Sequence, residues 1–203
     1  WALTVGITNA EAADVLQQKN PDGQIVSETE IEDTASQVSL SLEGYTVGTH
    51  EFLAVNKGGN ATIVDSKTHE LRPEFTVTRV ESSSDLEKSV KEKYIDTAAY
   101  GSNLSIYCWV QNTGTAPGVL TNMDLESEYV DEEDENGLQR YGSREIPPGE
   151  TGVAVSPGIP LNKYFSDPVQ GPVTITLTTK RTDDIVVERT VDHDKSGKVS
   201  ILE

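Results

Sequence analysis

The chain has 203 residues, enough for one large β domain or two small ones, and 35% of them are hydrophobic, low for a globular protein yet above the range of disordered chains. Lys and Arg total 16 against 34 Asp and Glu, and the net charge of -18 repels phosphate backbones and anionic membrane surfaces, so nucleic acid is not an expected partner. No apolar run of about 18 residues occurs, so no membrane span is expected. The acid excess has two readings. One is a soluble protein with a solvated acidic surface. The preferred one is a protein from a halophile: in about 1 M salt the Debye length falls to about 3 Å, so carboxylate self-repulsion is screened while the charge maintains solubility. Cys108 is the only cysteine, which excludes an intrachain disulfide and says little about compartment.

The chain opens on Trp1 rather than Met, as a processed product or a fragment does. Its beginning fits either the tail of a secretory signal, with Ala10-Glu11-Ala12 as a small-x-small cleavage site, or a retained strand over residues 3–7 leading into a short helix. The second reading is preferred, since Thr8-Asn9-Ala10-Glu11 has the form of a capping box and Asn20-Pro21 would stop the helix. Residues 1–72 are expected to form a small β-rich unit. Val38, Leu40 and Leu42 alternate with serines and meet a turn at Glu43-Gly44. Residues 52–55 and 61–64 flank Lys57-Gly58-Gly59-Asn60 as a hairpin.

Leu71-Arg72-Pro73-Glu74 is the expected junction, because Pro73 holds the chain extended before a fresh strand at 75–80. Next, Ser84-Asp85-Leu86-Glu87 offers another capping box, with Leu86, Val90 and Tyr94 on one helical stripe; a polar excursion without regular structure fits equally. Leu104, Ile106, Cys108 and Val110 then alternate with Ser105, Tyr107, Trp109 and Gln111, which predicts a half-buried strand with its aliphatic face inward, ended by Asn112-Thr113-Gly114. Residues 120–141 read as an acidic excursion. Its run Asp131-Glu132-Glu133-Asp134-Glu135, followed by Asn136-Gly137, is expected to be a solvated tip, with a loose hard-cation site as the lesser alternative. Further strands are expected at 153–155, 173–177 and 185–191, the last two joined across 181–184. No internal repeat of fixed period is present.

Three pieces of this second part stand in a definite order: a strand ending in an Asn-Thr-Gly turn (LSIYCWVQNTGTAPG), an Ile-Pro-Pro-Gly-Glu-Thr corner at 146–151, and a terminal pair, PVTITLTT and DIVVERTV. Together they resemble the adhesion-type immunoglobulin-like sandwiches of archaeal and bacterial surface proteins, over about 120 residues once 75–80 is added as a first strand. The resemblance implies an all-β chain: an immunoglobulin-like antiparallel β-sandwich at 73–203 beside a smaller β-rich N-terminal unit at 1–72. It also implies a structural or binding role with no catalytic residues to carry over. The acidic stretch at 120–141 departs from the family's pattern, and the first 72 residues match nothing in it.

Catalytic signatures are absent. His50, His69 and His193 are the only imidazoles, and none lies in an HExxH-like arrangement. No GxSxG elbow or phosphate-cradling Gly loop occurs, and Cys108, on an inward strand face, reads as an inert core residue. With 34 acids some carboxylate pair falls at glycosidase spacing by chance, but such clefts are lined with aromatics, and the chain has only two Trp, seven Tyr and three Phe. A non-enzyme is therefore expected.

The most specific motif is at the C-terminus. Asp192 to Glu203 matches the calcium loop of EF-hand proteins position by position: Asp192, Asp194 and Ser196 offer side-chain oxygens, Lys198 its carbonyl, Gly197 the sharp turn and Glu203 a closing bidentate carboxylate. Calcium is thus the one cofactor considered. The flanks argue the other way, since 185–191 reads as a strand and no helix follows Glu203. The preferred alternative is a hairpin in which residues 192–197 turn the chain and 199–202 pair back. Two glycosylation sequons occur, at Asn60 and Asn103; Asn60, in the Gly-Gly loop, is the better candidate. Tyr107 and Trp109, on the outward face of their strand, are either covered by residues 120–141 or 1–72, or anchor a subunit contact. The expected function is a non-catalytic structural subunit of an extracellular surface assembly of a halophile (virion coat or capsid, cell envelope or filament), whose partners are copies of itself or other assembly proteins. The alternative is an extracellular ligand- or glycan-binding module.

Overall fold

The computed structural model describes residues 2–7, 12–32, 37–85, 103–127, 144–156, 159–160, 169–193 and 199–203, and these are almost entirely strand and turn with no α-helix. The chain divides into two compact units, Trp1–Pro73 with Gly114–Pro117, and Glu74–Thr113 with Gly118–Glu203.

The first unit contains β1 (Ala2–Gly6), β2 (Val15–Lys19), β3 (Ile25–Glu30), β4 (Gln37–Ser41), β5 (Gly48–Asn56) and β6 (Thr62–Leu71). They form a two-stranded sheet, β1-β4, and a four-stranded antiparallel sheet in the order β3-β2-β5-β6. Period-two alternation builds the smaller sheet: Val38 and Leu40 of β4 are buried between exposed neighbours. They join Leu16, Phe52 and Ala54 of the larger sheet in one cluster, against which Leu3 and Val5 of β1 pack.

The helix expected ahead of Asn20 is not formed, for Val15–Lys19 is the strand β2, laddered to β3 and β5 on its two sides. The burial of Val15, Leu16 and Gln18 outweighs a helix cap worth about 1 kcal/mol; the capping-box residues 8–11 lie outside the described residues. Residues 114–117, placed by sequence in the sandwich, cluster instead with the first unit. Ala116 is buried beside Leu42, Tyr45 and Leu71, and the Tyr45 hydroxyl donates to the Pro117 carbonyl at 2.6 Å.

The second unit contains β7 (Phe75–Ser82), β8 (Asn103–Leu104), β9 (Ile106–Asn112), β10 (Gly118–Glu126), β11 (Arg144–Ile146), β12 (Thr151–Val155), β13 (Ile159–Pro160), β14 (Val169–Lys180), β15 (Ile185–His193) and β16 (Val199–Leu202). Its main sheets are β12-β9-β7 and β11-β10-β14-β15-β16, both antiparallel, with a short β13-β8 pair. Their inner faces meet in a single apolar core. Ile106, Cys108 and Val110 come from β9, Leu120, Met123 and Leu125 from β10, and Val173, Ile175 and Leu177 from β14. This is a β-sandwich.

The start of the expected acidic excursion is not an excursion: residues 118–126 are β10, paired with β11 and β14. A bulge at Thr121, whose hydroxyl donates to the Thr178 carbonyl, shifts the register between Leu120 and Asn122. That extra residue turns both Leu120 and Met123 to the core despite their odd spacing. Thr78 does the same in β7, so that Val77 and Val80 both pack inward. The possible helix from residue 86 and the acidic tip at 131–137 lie outside the described residues.

Asn112 links turns that look independent in sequence. It is fully buried, its side-chain amide donates to the Ile146 carbonyl at 2.8 Å, and its side-chain oxygen accepts from the Glu74 N–H at 3.3 Å. Its backbone N–H donates to the Glu150 carbonyl, and its own carbonyl accepts from Gly149, whose φ of 78° suits the Pro-Pro-Gly corner.

Candidate functional site

The groups that could carry chemistry are dispersed or engaged. His50 and His69 are cross-strand partners in the β5–β6 ladder, an adjacency that their spacing in the sequence does not reveal. His50 is buried with both ring nitrogens occupied: Nε2 lies 2.8 Å from the Thr46 carbonyl, which can only accept, and Nδ1 lies 2.9 Å from the Gln18 amide nitrogen. The ring is a buried connector between the Thr46 backbone and the Gln18 side chain. His69 is exposed, and only the backbone of His193 is described. Cys108 is fully buried in the sandwich core; desolvation pushes its thiol up to about 12, with the Arg189 charge acting weakly the other way, so no thiolate nucleophile is available. Among the described residues no three His, Cys, Asp or Glu side chains converge on a metal position.

Tyr107 and Trp109 lie on the face of β9 opposite the aliphatic one. Tyr107 is 0% exposed, packed in a small cluster with Val153, Trp109 and Val155, because both faces of β9 are covered. Trp109 is half-buried. Its ring is 6.2 Å from that of Tyr107, and the Arg79 guanidinium lies over it, 4.7 Å from the centroid, while also pairing with Glu81.

At the C-terminus the described strands pair antiparallel, as the hairpin alternative expects. β15 continues through Asp192 to His193, and β16 pairs back with it, Asp192 opposite Ser200 and Val191 opposite Ile201. Val191 and Ile201 pack on the sandwich core, and the Ser200 hydroxyl donates to Asp85 at 3.2 Å. Glu203 is three residues beyond Ser200, about 10 Å along an extended chain, so it does not return to Asp192 to close a shell. Asp194, Ser196 and Lys198 lie outside the described residues. Asn60 is exposed in the β5–β6 connection, where a glycan can be accommodated.

What sequence reasoning missed is the condition of the sheet edges. Of the exposed large apolar side chains, Ile25 and Val26 (54% each) lie on β3, Ile63 (59%) and Val64 (37%) on β6, and Leu202 (39%) on β16, strands that end their sheets, while Val186 (61%) lies on the inner strand β15. β6 is exposed from Thr62 through Glu70. Beside it runs a groove of about 320 Å³, walled by Leu3 to Gly6 of β1 and by Lys67, Thr68 and His69, with Phe52 as the aromatic member. On β3, at the other edge of the four-stranded sheet, the Lys57 ammonium and the Gln17 amide hydrogen-bond the Glu28 carboxylate and hold it below the usual carboxylate range.

No family model and no curated protein matches the chain. Among solved structures, it is similar to a glycosyl hydrolase family 2 member from Bacteroides cellulosilyticus, at 13% identity over 88% of this chain and 21% of that one, with a TM-score of 0.29. A β-glucuronidase from glycoside hydrolase family 2 matches at 10% identity over 98% of this chain and 19% of its own, TM-score 0.28. A DUF3823 family protein from Bacteroides ovatus matches at 11% identity over 92% and 97%, TM-score 0.27. The chain spans about a fifth of the length of the family 2 hydrolases. The β architecture rests on the strands themselves, and none of these likenesses carries an activity over to the chain.

Proposed function

We infer that the chain is a non-catalytic structural subunit of an extracellular surface assembly working in high salt, such as a virion coat or a cell envelope or filament. Its immunoglobulin-like, adhesion-type resemblance belongs to the same proposal. The observation that carries it is a net charge of -18 on a protein whose exposed large apolar side chains lie mainly on outermost strands. Such charge keeps monomers apart in dilute buffer, and salt screening lets the apolar edges meet. The engaged His50 and the buried Cys108 support a non-catalytic role. The test is sedimentation and thermal unfolding across salt concentrations. Defined oligomers or particles and a rising midpoint are expected as salt increases. A monomer at every salt, with a flat or falling midpoint, overturns the reading. The second reading, an extracellular ligand- or glycan-binding module, is favoured by the groove beside Phe52; it requires a monomer with saturable binding there.

A further inference from the structure

β6 is hydrogen-bonded to β5 on one side and, among the described residues, to no strand on the other. An outermost strand of this kind presents a row of open N–H and C=O groups to another chain. At Glu70 the carbonyl accepts from the Thr115 hydroxyl, which closes the row at that end.

The charges of β6 are arranged unlike those of the rest of its unit. Lys19, Lys57 and Arg72 each hold a carboxylate, those of Glu51, Glu28 and Glu70. Lys67, the remaining cation of residues 1–73, has no ion pair among the described residues. Asp65, two residues earlier on the same face, accepts from the Ser66 N–H. In that first unit Lys67 is thus the described cation left for a contact with a second copy.

Two identical strands related by a two-fold axis perpendicular to their sheet pair antiparallel, and residues equidistant from the axis face each other. With the axis at Ser66, Asp65 faces Lys67 of the second copy and Lys67 faces its Asp65. With the axis one residue away in either direction, Asp65 meets Asp65 or Lys67 meets Lys67. No other axis position from 62 to 70 sets an acid against a base. Edge charges and bulges ordinarily keep sheet edges apart; here they select one register, and the bulge at Val64 ends the regular ladder beside Asp65.

We propose that β6 is a self-association edge: the β6 strands of two copies pair antiparallel about Ser66, joining two four-stranded sheets into one, with reciprocal Asp65–Lys67 contacts fixing the register. The proposal rests on the assembly-subunit reading and names one of its contacts. On pairing, Asp65 exchanges its bond from the Ser66 N–H for the facing Lys67, and the released N–H joins the backbone ladder that supplies the attraction. Salt removes the mutual repulsion of two acidic chains, and the charge pairs supply specificity more than affinity.

The test uses the full chain. Cys108 is buried and does not compete, so Ser66→Cys under mild oxidation is expected to give a disulfide-linked dimer, the two-fold bringing the two Cα atoms within disulfide range. Thr62→Cys is expected to give none. At the lowest salt that sustains association, Asp65→Lys alone and Lys67→Asp alone are each expected to weaken dimerisation by about tenfold or more. Mixing the two variants restores a heterodimer, because each then presents what the other lacks. An oligomeric wild type with no cross-link at Ser66→Cys and no response to either reversal overturns the β6 contact while leaving the assembly reading intact. A wild type that is monomeric at every salt overturns both.

Discussion

In the second unit one apolar cluster joins both main sheets, with β9, β10 and β14 each giving three side chains to it. In the first unit the apolar residues fall into three separate clusters: one around Leu16, Leu40 and Phe52, one around Leu42, Tyr45 and Leu71, and one of Val15, Leu53 and Val55. There the four-stranded sheet also buries a polar pair, Gln18 and His50. Cohesion in the second unit therefore comes chiefly from undirected burial in one volume. Both units bury hydrogen-bonded polar side chains, Gln18 and His50 in the first and Asn112 and Ser156 in the second, so the difference lies in how the apolar burial is divided, and the first unit leaves β6 exposed from Thr62 through Glu70. A two-stranded sheet is narrower than a four-stranded one, and β6, an outer strand of the larger sheet, stays exposed along most of its length.

The comparison is sharpened first by matched deletions. Ile175 sits at 0% exposure on β14, between β10 and β15, and Leu40 at 0% on β4, which among the described residues pairs only with β1. A cavity in the interior of the larger core is held open from all sides, whereas the two-stranded sheet can settle into the space. Ile175→Ala is expected to cost about 4 kcal/mol and Leu40→Ala about 2.5 kcal/mol in urea denaturation. Equal or reversed costs would break the distinction.

Next in size is Asn112→Ala, at about 3 kcal/mol. It removes the donor to the Ile146 carbonyl and the acceptor for the Glu74 N–H while adding no apolar contact. A loss under about 1 kcal/mol would show that water replaces both bonds. Gln18→Leu, in the first unit, is expected to cost about 1 to 2 kcal/mol, since His50 Nδ1 then loses its donor. A variant as stable as wild type would remove the polar pair from the account of the first unit.

Legibility in the sequence followed the same division. Strands that keep strict alternation were readable: in β9 the aliphatic set Ile106, Cys108 and Val110 faces the core, and in β4 Val38 and Leu40 do. β10 was not readable, because the bulge at Thr121 breaks the period of two and leaves Leu120, Met123 and Leu125 at spacings that match neither strand nor helix. β2 was misread because a strand buried on both faces shows no alternation, and its polar Gln18 signals burial only once His50 is seen beside it. The Asn-Thr-Gly and Pro-Pro-Gly-Glu turns were visible as turns, but their joining through Asn112 is a long-range hydrogen-bond pattern that local signals do not carry. Edge exposure is less legible still. Residues 61–64 read as one arm of an ordinary hairpin, Asp65 and Lys67 carried no strand signal, and only the sheet order makes them a boundary.

The smallest expected effect lies at another edge, the β15–β16 hairpin of the second unit. A twelve-residue calcium loop closes by returning its last carboxylate to the ion held by its first. Here Asp192 is paired with Ser200 in a ladder that runs on through Val191–Ile201 to Thr190–Leu202, so the chain carries Glu203 away from Asp192. The apolar pair Val191 and Ile201 packs on the sandwich core, and an EF-hand closure would have to pull Ile201 off it. Burying such a side chain is worth about 1.5 to 3 kcal/mol, a cost that binding would have to meet before any affinity appeared. Calorimetric titration with calcium should therefore give the same weak, salt-screened heats for the intact chain and for Asp192→Ala. The substitution itself, on a partly exposed strand position, should shift stability by no more than about 0.5 kcal/mol. A saturable step present in the intact chain and lost in Asp192→Ala would mean that the hairpin opens to bind the ion, and the register of β16 would then describe only one of two states.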